Sequence, residues 1–317
     1  KGGKSLNDIF RDVTGESADD SDRPAWAGTP GGKDGAGGGR PSTSGSKKGD
    51  LFGDLWIILR DSNGVPILTP EGFVQPLDAN GNPIPLDAEG APIDPTLATE
   101  VELGRLNVGR APTSVLDRRA QEVITLLNSA TAVTVDAAGR LVLTVDGVTK
   151  TIDSPLENLA IYVALMTTGT IPGVADLPGT EYDFLVDGVF TMEDAKVAAS
   201  LLAGATDKTG VFTTDEVAYI NAFLDVNTTT VGNVTYTDMD FSTFSYDRSD
   251  SYEGTTATVL IQQSDGSFVP TEVQIYDVVF NNTDLTVSGS LDAFTQAAED
   301  ARQVIEYIHE YAVPLPQ

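Results

Sequence analysis

An α+β fold, with mixed helices and antiparallel hairpins behind an extended Gly-rich N-terminal arm, is what this 317-residue chain predicts. Three observations carry that expectation. Apolar residues recur at helical spacing in some stretches and alternate with period two in others. The two kinds of stretch do not follow the strand–helix alternation of a parallel α/β sheet. The composition also steps near residue 50. Residues 1–50 hold 12 of the 31 glycines, with 8 basic and 8 acidic side chains, leaving 11 basic against 39 acidic in 51–317. The whole net charge of −28 therefore belongs to the later part of the chain.

These steps divide the chain into an arm (1–49), a ribbon region (50–112) and an α+β body (113–317). Within the arm, residues 14–49 are dominated by Gly, Ser, Pro and Asp, which cannot bury enough surface to offset ordering entropy. Leu6, Ile9, Phe10 and Val13 stand out against that background at i, i+3, i+4, i+7, the stripe of a short amphipathic helix. Trp26 is a single large aromatic in the otherwise small-residue stretch 14–49. A helix of about ten residues is marginal alone in water, so the stripe needs a surface to dock on.

The ribbon region opens on an apolar run, Leu55, Trp56, Ile57, Ile58 and Leu59, read as a strand buried on both faces. Four short units follow, with turn glycines at Gly64, Gly72, Gly81 and Gly90. Asn63-Gly64 and Asn80-Gly81 are type I′ hairpin signals. Pro66, Pro76, Pro83, Pro85 and Pro92 remove ladder donors, so the strands between those turns must be short or edge-like.

In the body, Ser114 and Asp117 open a helix reaching about Leu127, with Leu116, Ala120, Val123 and Leu127 as its stripe. Alternation over 132–153, with Asp146-Gly147 at a turn, predicts hairpin strands. Ser154-Pro155-Leu156-Glu157 reads as a capping box with proline at the first helical position. The helix it starts is apolar nearly all round, so it belongs at the centre of the core. Helices are predicted near 192–203 and 214–225, strands at 256–263 and 267–280. A last helix over 291–311 carries Phe294, Ala298, Ala301, Ile305 and Ile308 on one face.

Two loops hold the residues best suited to bind an ion. The first runs Asp183, Leu185, Asp187, Gly188, Phe190, Thr191, Asp194. The second runs Ala205, Asp207, Thr209, Gly210, Phe212, Thr213, Glu216. Each has glycine at its sixth place, an apolar residue at its eighth and a carboxylate at its twelfth. They resemble the calcium loops of EF-hands and dockerins, and the resemblance implies calcium on Asp183, Asp187 and Asp194 and on Asp207, Thr209 and Glu216. Leu185 at a ligand place and Ala205 at the first place depart from the pattern. The metal-free reading takes Thr191 with Asp194, and Thr213 with Glu216, as helix N-caps. On that reading the protein takes no cofactor.

The chain has no cysteine and one histidine, His309. Thiolate chemistry is excluded, and a Ser–His–acid triad would rest on a single residue read as a favourable charge at a helix C-terminus. No G-x-S-x-G elbow or P-loop is present. Paired carboxylates leave hydrolase chemistry open only as a minor alternative. A charge of −28 argues against nucleic acid as a partner, and no apolar run approaches the length of a membrane span. Cysteine absence, with 32 Asp against 15 Glu and much Thr, Asn and Gly, suggests an extracellular or cell-surface bacterial protein. The expected function is therefore not enzymatic. It is a secreted structural subunit that polymerises with copies of itself into a filament or biofilm matrix through Leu6, Ile9, Phe10, Val13, Trp26, Leu55, Trp56 and Ile57. The alternative is a calcium-tuned adhesin.

Overall fold

The computed structural model describes residues 57–59, 67–71, 73, 75–88, 92–99, 113–206, 210–223, 226, 228–231, 234–237, 241–289 and 291–311. The elements are α1 (Thr113–Ser129), β1 (Ala132–Val135), β2 (Leu141–Val145), β3 (Val148–Thr151), α2 (Pro155–Thr168), α3 (Met192–Ala205), α4 (Thr214–Phe223), β4 (Thr228–Val231), β5 (Val234–Thr237), β6 (Ser245–Asp247), α5 (Arg248–Tyr252), β7 (Thr256–Gln262), β8 (Phe268–Gln274), α6 (Ile275–Val278), β9 (Thr286–Ser288) and α7 (Leu291–Tyr311). All strand pairs are antiparallel: the meander β1-β2-β3 and the pairs β4-β5, β6-β9 and β7-β8. The protein is α+β.

Helices form the centre. α3 packs against both α2 and α7, α1 lies on α2, and α4 lies on α7. Every residue of α2 from Glu157 to Met166 is buried. Each large apolar side chain there contributes about 1.5–3 kcal/mol by leaving water, so packing rather than propensity holds this helix. Close approach of α2 and α3 needs Gly204, where a Cβ would stand 2.8 Å from Asn158 Cγ. On α7, Phe294, Ala298, Ala301 and Ile305 are buried and Ile308 packs at the margin. The Phe294 ring meets Phe241 and Phe244 at centroid distances of 5.2 and 6.0 Å.

Several expectations are refined by the fold. α2 starts at Pro155, but Ser154 makes no side-chain cap bond. Its carbonyl accepts the first helical bond, from the Asn158 amide at 3.0 Å, and also the Asn158 side-chain amide at 3.1 Å. The strand proposed over 267–280 stops at Gln274, and α6 follows. α5 was not expected; Asp247 starts it by accepting from the amides of Ser249 and Asp250. Asp146 (φ 52) and Gly147 (φ 78) make the predicted I′ turn between β2 and β3.

Asn80-Gly81 is not such a turn, since only Gly81 (φ 80) of the two has positive φ. Asp78 accepts from the Asn80 and Asn82 amides at 2.8 Å each and holds the chain in a wider loop. Asn63-Gly64 lies outside the described residues. The described part of the 55–59 run is bonded on both sides: Ile57 N–H to Thr99 and Leu59 N–H to Gln75, both 2.8 Å, with Leu77 and Ile67 donating back to Ile57 and Leu59. Only Ile58 is buried, so this segment presents one face to the core rather than two. The prolines reduce the ribbon to isolated bridges, such as Ile58 with Pro76 and Leu86 with Pro92.

Candidate functional site

The loop from the end of α2 to the start of α3 is built around two glycines. α2 ends at Gly169 in the left-handed region (φ 64), its amide bonded to the Leu165 carbonyl. The Gly169 carbonyl accepts from Gly188 N–H at 3.0 Å, which ties the far side of the loop to the helix end. A 3-10 turn, Asp183–Val186, leads in. Leu185, at a place where a calcium loop would offer oxygen, is fully buried and serves the core.

The carboxylates divide their roles. Asp187 is exposed and accepts from Val189 N–H at 2.6 Å, shaping the turn. Asp194 is fully buried and forms the capping box with Thr191. Its Oδ2 accepts from the Thr191 amide at 2.6 Å and hydroxyl at 2.7 Å, while Thr191 Oγ1 accepts from the Asp194 amide at 3.3 Å. The other oxygen, Oδ1, has no hydrogen-bond partner, and neither has the buried Oδ1 of Asp183. Burial pushes the Asp194 carboxyl above the usual range; the Thr191 bonds oppose that shift, and the charges of Asp187 and Glu193 add to it.

In the second loop Asp207 and Thr209 lie outside the described residues. Ala205 and Phe212 are buried, and Glu216 is buried on α4 with its amide donating to Thr213 Oγ1 at 3.2 Å. The predicted cap is therefore in place. Phe212 N–H donates to Glu299 of α7 at 2.8 Å, so this loop is pinned to the last helix. Among the described residues, no three acidic or histidine side chains converge as a metal would require. No family model, curated protein or solved structure matches the chain.

Of the residues assigned to assembly, Leu6, Ile9, Phe10, Val13, Trp26, Leu55 and Trp56 lie outside the described residues. Ile57 is half-buried where the ribbon joins the body. Among the described residues, no helix is long and apolar enough to cross a membrane.

Sequence reasoning missed the buried charges of α7. Asp300, fully buried, receives Arg248 Nε at 2.6 Å and Nη2 at 2.8 Å, Gln296 at 2.7 Å, and the Tyr246 hydroxyl. Arg248 also lies 4.5 Å over the Phe280 ring. The residue before it, Glu299, takes Arg302 through both oxygens at 2.7 and 2.8 Å. Arg140, nearly buried, joins Asp136 (2.7 Å) to Asp153 (2.5 Å), with His309 Nε2 3.3 Å from its Nη1. The available signal was the E-D-A-R run of 299–302 inside the apolar stripe of α7, in a body with few bases.

The carboxyls give a pH dependence with a definite sign. Glu157 is raised by burial, against the nearby charges of Lys150 and Arg119, and Asp194 is raised as above. Between their unfolded and folded values the native state holds more protons than the unfolded chain, so stability grows as pH falls through that window. Asp247 is lowered, first by its Ser249 and Thr286 bonds; the stability it supplies is present above the unfolded value and lost below it. Melting temperature should therefore rise as the pH is lowered toward the ordinary carboxylate range, about 4, and fall again below it. Calorimetry at constant ionic strength checks this, and a monotonic fall from pH 7.5 downward contradicts it.

Proposed function

We propose that this protein is an extracellular structural subunit that assembles with copies of itself through its N-terminal arm. One observation carries the reading. The arm holds an apolar stripe, Leu6, Ile9, Phe10 and Val13, set apart by residues 14–49 from a body that carries all of the net charge of −28. In the ribbon, Ile58 is buried in the core cluster it shares with the body. From there, 36 linker residues have an extended reach of about 120 Å, enough for the stripe to meet a neighbouring subunit. Residues 1–49 carry 8 basic against 7 acidic side chains, so an acidic neighbour does not repel the arm as it would a second acidic body.

The test is deletion of residues 1–49 followed by electron microscopy and pelleting. The truncated protein should remain folded by circular dichroism and form no polymer, while the full chain polymerises. Polymers of unchanged appearance after the deletion would overturn the arm's role.

A second reading, a calcium-tuned surface module, is favoured by the unpartnered oxygens of Asp183 and Asp194 in one loop. A cation bound at either oxygen would supply the partner it lacks. Titration calorimetry with calcium against a chelator decides it. The reading requires heat of binding and a melting temperature that rises with calcium, both lost in Asp194→Asn; absence of either in the parent chain removes it.

A further inference from the structure

We draw no further inference here: the strongest candidate, the exposed apolar surface of the β7–β8 hairpin at Ile261, Phe268 and Val269, carries nothing because nothing in the structure shows what covers it.

Discussion

Asp300→Ala should destabilise the protein by about 3–5 kcal/mol, the cost of leaving a buried charge without its partner. Asp300 is fully buried and binds Arg248 through two bonds, at 2.6 and 2.8 Å, with Gln296 and Tyr246 also donating to it. Truncation leaves the Arg248 guanidinium with the Thr283 carbonyl at 3.2 Å and the Phe280 face. Those contacts do not balance a desolvated positive charge. Since Arg248 opens α5 and Tyr246 lies in β6, the loss should propagate to the β6–β9 pair, which packs on α7. The double variant Asp300→Leu with Arg248→Met should recover much of the loss, because a well-packed apolar pair of similar volume replaces a buried ion pair at little cost. Urea denaturation of the parent, single and double variants measures both effects. A single variant within 1 kcal/mol of the parent would show that the pair is not buried as described.

Gly169→Ala should cost about 2–4 kcal/mol, more than its φ alone explains. The left-handed conformation at φ 64 accounts for about 1–2 kcal/mol in any residue with a Cβ. The remainder comes from crowding. A Cβ at 169 would stand 2.9 Å from Gly188 C and Phe190 N and 3.0 Å from Val189 C. These are main-chain atoms, so relief requires moving the loop and stretching the Gly188-to-Gly169 hydrogen bond. Gly188→Ala is the internal control, because its φ of 79 is also left-handed but nothing lies within 4 Å of the added carbon. It should cost only the conformational part. Hydrogen exchange over 183–191 should accelerate strongly in the first variant and little in the second. Equal effects would show that backbone conformation alone governs this corner.

The sequence was most legible where one local signal agreed with one global demand. Over 155–166 the apolar residues leave no broad polar face, so only the centre of the core could accept that helix, and α2 is buried from Glu157 to Met166. Asp146-Gly147 specifies its turn because only residues tolerant of positive φ close a two-residue hairpin there. Thr191 and Asp194 cap α3 as their spacing required. Legibility failed where a competing side chain or a demand for burial outweighed the local signal. Asn80-Gly81 carried a hairpin signal, but the Asp78 carboxylate captured the neighbouring amides and chose another turn. Ser154 does stand at the N-cap of its helix, but its side chain makes no cap bond. The strand after Ser267 ended early because Ile275 and Tyr276 are buried in α6, a demand that alternation does not reveal.

By itself the sequence determined the α+β class, the contrast between a neutral arm and an acidic body, the helices with unbroken apolar stripes and the turns that need positive φ. These rest on composition and on contacts within a few residues. Only the tertiary structure decided that Asp300 and Glu299 face arginines inside the core and that Leu185 is a core residue at a would-be ligand place. The Asp300 partner, Arg248, lies 52 positions away, and burial, which sets the energetic role of a charge, is decided by how the elements pack.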